Sequence, residues 1–321
     1  MTETLDYGPI VLGRAEDVLA ARGRTFHWAK RLLNARHGAD AARLYGFCRA
    51  IDDIADEATC ADAAKRRLAA ARRSIIGGKT SDPVLVDMLS LMHERGIRRE
   101  VVCDFIDGVA SDLDPVRIPD VDTLMRYCYR VAGTVGLMMC RVLDAEGEAA
   151  SPHAIDLGMA MQLTNICRDI AEDAAANRRY LPATLVGEIE PGLLIAPVKA
   201  IETKVRRGVA TLLNRADRHY ESGERGLAGL PLRARGAILV AARLYCAIGG
   251  RLKRRQYAYW THRAAIPWPL KVPITAHALL TGVSRPSFWR RPTHHDARLH
   301  AEIAGMPGTS SERSERCDIR R

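Results

Sequence analysis

The sequence has 321 residues, of which 47% are hydrophobic and only 5% are aromatic. A chain of this length and apolar content can bury a substantial core, which excludes a predominantly disordered protein. Lys and Arg outnumber Asp and Glu by 48 to 38, and residues 251–321 hold 14 of these basic residues but only 5 of the acidic ones. The first nine residues form no apolar run, and no segment reaches the roughly 18 uninterrupted apolar residues that span a bilayer. We therefore expect a cytoplasmic protein.

Apolar residues recur at helical spacing along most of the chain, and no strand-like alternation of useful length is present. The pattern predicts helices at 14–33, 40–57, 61–76, 83–95, 98–113, 121–143, 151–173, 197–223 and 231–260. We expect an all-α fold in which residues 1–265 form one helical domain. Residues 266–321 should form a basic, proline-containing extension, with the part from Pro307 onward disordered because it is rich in Gly, Ser and Arg.

Two of the predicted helices carry a polar stripe on one face. The first stripe has members separated by 4, 3 and 4 positions: Tyr45, Arg49, Asp52 and Asp56. The second repeats at every fourth position: Asn165, Asp169 and Asp173. Spacings of three and four residues place each set on a single helical face.

Carboxylates one turn apart repel each other, so each stripe requires a compensating cation if it is buried. For either helix alone, a solvated acidic face beside arginines is an equally good explanation. The flanking residues are apolar, however, and the oxygen donors Asp and Asn suit Mg²⁺, which completes its shell with water and substrate phosphate. Two facing stripes therefore indicate a magnesium–diphosphate site, and the nearby Arg49 and Arg168 are consistent with an anionic ligand.

The segments 49–57, 127–136 and 162–173, followed by 178–182, together resemble the squalene/phytoene synthase family. Among its members, bacterial phytoene synthases are the most similar, because of the segments 44–49 and 131–139. The resemblance extends from about Gly23 to about Trp260 and implies a single isoprenoid synthase (class I terpenoid synthase) bundle with a central cavity. It also implies head-to-head (1-1′) condensation of two prenyl diphosphates with Mg²⁺ or Mn²⁺, most similar to the formation of phytoene from geranylgeranyl diphosphate in carotenoid biosynthesis, for which NADPH is not expected.

The resemblance also implies roles for individual positions. The metal ligands would be Asp52, Asp56, Asn165, Asp169 and Asp173. The substrate-binding residues would be Arg24, Thr25, Phe26, Tyr45, Arg49, Gln162, Arg168 and Tyr245. The catalytic set would comprise Asp52, Asp56, Asp169, Asp173, Tyr45, Arg49 and Arg168. The base that removes the final proton stays open among Tyr45, Tyr129, Tyr245 and the diphosphate product. Candidates for the cavity wall, which at helical spacing are more often ordinary core, are Ala132, Gly133, Val135, Gly136, Leu137, Met138 and Met139.

Two alternative functions are compatible with the sequence. The first is a squalene, hydroxysqualene or dehydrosqualene synthase that uses C15 substrates. The second is a non-catalytic basic helical protein that binds nucleic acid; no recognition motif supports it, and we expect no nucleic-acid partner. The C-terminal segment from Arg251 onward combines basic residues with Trp260, Trp268 and Trp289. This composition predicts either a solvated terminal segment packed on the bundle or peripheral attachment to an anionic membrane, such as the inner face of the cell membrane. The sequence indicates no protein partner.

Overall fold

The computed structural model describes residues 28–147 and 149–309. Within these ranges the chain is helical and contains no β-strand. The α-helices are α1 Ala35–Asp56, α2 Ala61–Gly77, α3 Pro83–Arg95, α4 Arg99–Ala110, α5 Val121–Cys128, α6 Thr134–Val142, α7 Ala150–Ala175, α8 Ala183–Val186, α9 Gly192–Ile195, α10 Lys199–Gly226, α11 Leu232–Arg254, α12 Trp268–Val283 and α13 Pro286–Trp289. The all-α fold predicted from the sequence is confirmed.

Two helix ends differ from the prediction because of a side-chain cap at one and left-handed backbone angles at the other. Helix α1 begins five residues before the predicted start because the Asn34 side chain caps it by accepting a hydrogen bond from the His37 N–H. Helix α11 ends at Arg254 instead of continuing to residue 260, because Gln256 and Tyr257 adopt left-handed φ angles of 50° and 62°. Most of the predicted helix 14–33 lies outside the described residues.

The predicted helix 121–143 is interrupted by a π-helical turn. Residues Tyr129–Gly133 form this turn between α5 and α6, and the Thr134 N–H donates to the carbonyl of Tyr129, five residues earlier. A π turn holds an extra residue, so it rotates α6 relative to α5. Apolar periodicity alone cannot reveal such a turn, because residues on both sides of it are buried.

Helix α7 lies at the centre of the bundle and packs against α6, α10 and α11. Two glycines allow α7 to touch the π turn and α6 backbone to backbone. A Cβ added at Gly136 would lie 2.2 Å from the carbonyl oxygen of Ala154, and one added at Gly158 would lie 2.2 Å from that of Ala132. Contacts this short exclude any side chain, so both positions require glycine.

The extension folds onto the bundle as far as the description reaches. The Trp28 indole N–H donates to the Thr275 hydroxyl on α12 (2.9 Å), and the Tyr129 hydroxyl donates to the Pro307 carbonyl (2.8 Å). Thr309 is buried. The disorder predicted from Pro307 is therefore not observed at residues 307–309, and residues 310–321 lie outside the description. None of the described helices combines the length and hydropathy needed to cross a membrane.

Candidate active site

A cavity of about 340 Å³ lies among α1, α4, α6, α7 and α11. One end of it is polar, and the residues that line this end are Tyr45, Asp52, Gln162, Asn165 and Tyr245. Apart from Lys30, the remaining lining residues are apolar, and many have small side chains. Along each of α1, α7 and α11, the lining residues run from this polar end towards the helix start, as far as Ala41, Ala154 and Ala237.

Four of the seven predicted wall residues line the cavity, and three do not. Ala132, Val135, Gly136 and Met139 line the cavity. Their positions differ by three, one and three residues, so they share one face of the π turn and α6. The other three predicted wall residues, Gly133, Leu137 and Met138, are absent from the lining and belong to the surrounding core.

On α1, Arg49 engages two carboxylates. Its Nε donates to Asp53 Oδ1 (2.7 Å), and its Nη2 lies 3.3 Å from Asp56 Oδ2. Asp52 immediately precedes Asp53, and burial raises its pKa to about 7, with the charge of Arg49 opposing this effect and repulsion from Asp56 adding to it. Asp52 has no cation within salt-bridge distance among the described residues. Its carboxylate is therefore poorly compensated in the absence of a ligand.

On α7, the two carboxylates of the stripe differ in their surroundings. Burial alone would raise the pKa of Asp169, but hydrogen bonds from Arg168 and Arg263 hold it below its ordinary value. For Asp173, burial raises the pKa to about 7, and the nearby charge of Asp169 adds to the shift. One member of the stripe is thus hydrogen-bonded to arginine, whereas, among the described residues, the other has only the nearby charge of Arg178 to oppose the effect of burial.

Asp112 and Arg178 join the two stripes, and neither was predicted as a site residue. Asp112 accepts hydrogen bonds from the hydroxyls of Tyr127 (2.9 Å) and Tyr180 (2.6 Å). Arg178 lies 3.6 Å from Asp56, and its charge also acts on Asp112 and Asp173. The segments 127–136 and 178–182 pointed to this region, but no spacing in the sequence marks Asp112.

Arg263 is a second residue that sequence reasoning missed. Its Nε lies 2.8 Å from Asp169 Oδ1 and 3.1 Å from Glu172 Oε1. It follows the left-handed turn after α11, beyond the point where the predicted resemblance ends. A lone arginine in a loop gives no sequence signal for such a contact.

The residues of the two stripes suit a hard divalent cation. Asn165 Oδ1 is buried and has no hydrogen-bond partner among the described residues, although its amide nitrogen donates to Gln162 Oε1 (3.3 Å). A buried carbonyl oxygen without a donor is costly unless a ligand satisfies it. Burial also raises the pKa of Asp52 and Asp173, so a bound cation would stabilise their charged forms. Together with Asn165 they offer an oxygen-only set for Mg²⁺ or Mn²⁺.

Of the three candidate tyrosine bases, two line the cavity and one does not. Tyr45 and Tyr245 lie at its polar end. Tyr129 is fully buried and its hydroxyl donates to the Pro307 carbonyl, outside the cavity lining. The predicted diphosphate contacts Arg24, Thr25 and Phe26 lie outside the described residues.

The comparisons with known proteins agree with this architecture. The profile described as Squalene/phytoene synthase matches residues 19–271. The 15-cis-phytoene synthase of Pantoea ananas is 31% identical over 307 residues, covering 88% of this chain and 99% of the relative. The presqualene diphosphate synthase of Rhodopseudomonas palustris is 33% identical over 244 residues, covering 74% and 86%. Among solved structures, a dehydrosqualene synthase in complex with ligand superimposes with a TM-score of 0.75 at 26% identity, covering 84% of this chain and 96% of that one.

A helical bundle with two acidic helices around an apolar cavity defines an isoprenoid synthase of the prenyl-transferring class. The chain belongs to the squalene/phytoene synthase family.

Proposed function

We propose that the protein is a prenyltransferase that condenses two geranylgeranyl diphosphates head to head into phytoene. The observation that carries this proposal is the cavity itself, in which a polar end bearing Asp52 and Asn165 opens into apolar walls. A prenyl diphosphate has the same division into a charged head and a long apolar tail. The bacterial phytoene synthases to which the chain is similar support the C20 substrate.

The divalent cation would be held by Asp52 and Asp56 on α1 and by Asn165, Asp169 and Asp173 on α7. When bound, Mg²⁺ would supply neutralisation of the diphosphate charge at the polar end of the cavity. Mn²⁺, which prefers similar oxygen ligands, would substitute for it. No NADPH is needed, because the formation of phytoene involves no net reduction.

The arginines around the stripes would bind the diphosphate oxygens. Arg49, Arg168, Arg178 and Arg263 each contact a carboxylate of this region in the structure. When those carboxylates bind the cation, the guanidinium groups become available to the substrate. Positive charge fixed beside the leaving group favours cleavage of the C1–O bond.

The apolar walls would protect the carbocation that this cleavage creates. C1 of the allylic cation is attacked by the C2–C3 double bond of the second substrate, and loss of a proton closes a cyclopropylcarbinyl diphosphate. A second C1–O cleavage, ring rearrangement and loss of a proton give the linear product. Water would quench each cation, so apolar wall residues such as Val135 and Met139 would act by excluding water from the cavity.

Tyr45 and Tyr245 are the side chains best placed to assist proton removal, since both line the polar end. Burial raises the pKa of Tyr245 above its ordinary value, so its hydroxyl is neutral at physiological pH. We therefore infer that each tyrosine orients the departing proton towards the diphosphate product, which is the stronger base.

The decisive experiment is mass spectrometry of the lipids formed from geranylgeranyl or farnesyl diphosphate with Mg²⁺, each with and without NADPH. A C40 triene from the C20 substrate without NADPH is the expected product. Selective turnover of farnesyl diphosphate would instead assign a C15 activity such as presqualene diphosphate or dehydrosqualene formation. No product from either substrate would overturn the proposed reaction.

We also propose that the extension binds the surface of an anionic membrane, into which the water-insoluble product would leave. Trp268, Leu280 and Trp289 are 61%, 70% and 54% exposed. Trp268 and Leu280 lie on α12, and Trp289 ends α13 directly before the exposed Arg290. Apolar side chains enter the interface, while a basic residue contributes about 1 kcal/mol near an anionic surface.

Point substitutions test this better than truncation, because α12 packs on α11 and Trp28. The double variant Trp268→Ser/Leu280→Ser should lose sedimentation with vesicles containing phosphatidylglycerol. The matched control Val198→Ser/Leu232→Ser removes two equally exposed apolar residues elsewhere and should sediment like the wild type. Equal sedimentation of all three proteins would remove the extension from membrane binding.

A further inference from the structure

A second polar cluster lies outside the cavity, at the other side of α7. Its centre is Asp156, which is fully buried and accepts hydrogen bonds from His219 Nδ1 (2.7 Å), His295 Nε2 (2.6 Å) and the Ser222 hydroxyl. Two further imidazoles, those of His153 and His300, complete the cluster, and both are buried. None of these residues lines the cavity. Four histidines around one buried carboxylate are more than an ordinary hydrogen-bonded aspartate requires.

The hydrogen bonds fix which nitrogen of His153 carries a proton. Ser222 uses its one hydroxyl proton on Asp156, so His153 Nδ1 must donate to the Ser222 carbonyl oxygen (2.8 Å). In the neutral ring, His153 Nε2 therefore presents a lone pair to the protein interior.

Two other imidazoles have unsatisfied nitrogens. His219 Nε2 and both ring nitrogens of His300 are buried and have no hydrogen-bond partner in the described part of the chain. His300 Nε2 lies 3.3 Å from Asp156 Oδ1, at ion-pair distance, so this nitrogen faces the carboxylate, whereas His300 Nδ1 and His219 Nε2 face no such group among the described residues. Buried polar groups in proteins are normally hydrogen-bonded or bound to a ligand, so these nitrogens are available to one.

The distances suit a small tetrahedral metal ion. One ligand atom from each of His153, Asp156 and His295 can be chosen so that all three lie within 4.8 Å of one another. Metal bonds of about 2.0–2.2 Å at tetrahedral angles place neighbouring ligand atoms about 3.4 Å apart. His300 Nε2 lies 3.3 Å from Asp156 Oδ1, which is close to this value. His295 Nε2 lies 2.6 Å from the other oxygen, Oδ2, so the carboxylate and the His295 ring must shift as an ion replaces the proton between them.

We propose that His153, Asp156, His295 and His300 form a structural site for Zn²⁺ or a similar borderline metal ion. Imidazole nitrogen with a carboxylate oxygen is the ligand chemistry that such ions select, in contrast to the oxygen-only stripes of the cavity. His219 is a positioning residue, because its Nδ1–H orients the Asp156 carboxylate. The site is closed by burial and joins α7 to the segment after α13, so it fastens the extension to the bundle.

The test uses the full-length protein and the metal ions themselves. The protein is dialysed against Zn²⁺ in the presence of excess Mg²⁺ and then passed through gel filtration. We expect it to retain about one Zn²⁺ per chain, as measured by elemental mass spectrometry. Replacement by Co²⁺ should give the intense visible absorption of a tetrahedral nitrogen-containing site, whereas octahedral oxygen ligation in the cavity absorbs weakly. Wild-type protein with no retained Zn²⁺ and no such absorption would overturn the proposal without any variant.

Variants then locate the site. His153→Gln and His295→Gln should abolish the Co²⁺ absorption, and His219→Asn should lower affinity about 10-fold through loss of orientation. The matched control is His294→Ala, since His294 is the exposed neighbour of His295. Added Zn²⁺ should raise the Tm of wild type and His294→Ala but not of His295→Gln. Unchanged absorption in His153→Gln or His295→Gln would refute this ligand set, and because no readout involves product formation, failure here is distinct from failure of the prenyltransferase proposal.

Discussion

Arg263 Nε lies 2.8 Å from Asp169 Oδ1, so an arginine from the loop after α11 holds a central carboxylate of α7. The guanidinium is half exposed, whereas Asp169 is largely buried. A cation that binds Asp169 must displace or share this partner. The arginine is also positioned to meet an incoming anion.

The first prediction concerns this competition. Arg263→Gln should tighten Mg²⁺ binding in the absence of diphosphate by about twofold to fivefold, the range expected for one partly exposed ion pair. The same variant should bind inorganic diphosphate in the presence of Mg²⁺ more weakly. Titration calorimetry measures both, with the exposed Arg254→Gln as control. Weaker Mg²⁺ binding in Arg263→Gln would contradict the competition.

The second prediction concerns Asp52 and Asp169, which have the same role in the sequence-based prediction but different surroundings in the structure. Both Asp52→Asn and Asp169→Asn should abolish product formation. Asp52→Asn should stabilise the ligand-free protein by about 1 kcal/mol or more, because it removes an uncompensated buried charge. Asp169→Asn should destabilise it by about 1–3 kcal/mol, because Arg168 loses its partner. Urea denaturation measures both, and full turnover by either variant would reject its assignment.

A third prediction follows from the raised pKa of Asp52 and Asp173, each about 7. Between about pH 4 and pH 7 these groups bind more protons in the folded state than in the unfolded state. The free energy of unfolding should therefore fall as pH rises through this window, by up to about 1.4 kcal/mol per pH unit from each group.

Urea denaturation without metal, at intervals from pH 4 to pH 8, measures this slope. The double variant Asp52→Asn/Asp173→Asn should show a smaller pH dependence of the free energy of unfolding. The control Asp122→Asn, at an exposed position, should leave this dependence unchanged. An unchanged slope in the double variant would show that other groups cause it.

The fourth prediction concerns the metal. EDTA should stop the reaction and Mg²⁺ or Mn²⁺ should restore it, whereas Zn²⁺ should serve poorly because the stripes offer only oxygen ligands. Asn165→Ala should raise the Mg²⁺ concentration needed for half-maximal rate at least severalfold, since the unpartnered Oδ1 is lost. Asn165→Ala with an unaltered Mg²⁺ dependence would remove Asn165 from the ligand set, and turnover unaffected by EDTA would refute a metal role.

The fifth prediction concerns substrate length. Ala154 lies at the far end of the cavity, eleven residues before Asn165 on α7. Ala154→Leu should shorten the cavity and lower kcat/KM for the C20 substrate by about tenfold or more relative to the C15 substrate, the range for a few misfitting methylene groups. Ala210→Leu on α10 makes the same change outside the cavity wall. Parallel losses for both substrates would place the length limit elsewhere.

The site residues that could be predicted from the sequence are those whose position depends on the helical repeat. Asp52 and Asn165 are found at one end of the cavity because 3.6-residue spacing places each on the inner face of a long helix. Asp112 and Arg263 could not be found this way, because their contacts depend on where a short 3₁₀ turn and a loop come to lie. The histidines around Asp156 are likewise far apart in the chain, and only the packing of the extension brings His295 and His300 to α7.

The glycine contacts between α6 and α7 have a consequence for changing what the cavity accepts. Where Gly136 and Gly158 meet carbonyl oxygens, the gap between the helices is fixed by main-chain atoms, and side-chain exchange cannot adjust it. Depth, by contrast, depends on replaceable side chains such as Ala154 and Ala237. Selection for bulkier or longer isoprenoids should therefore yield substitutions at the end of the cavity away from Asp52 and leave both glycines unchanged. The cavity can thus be lengthened by engineering far more readily than it can be widened.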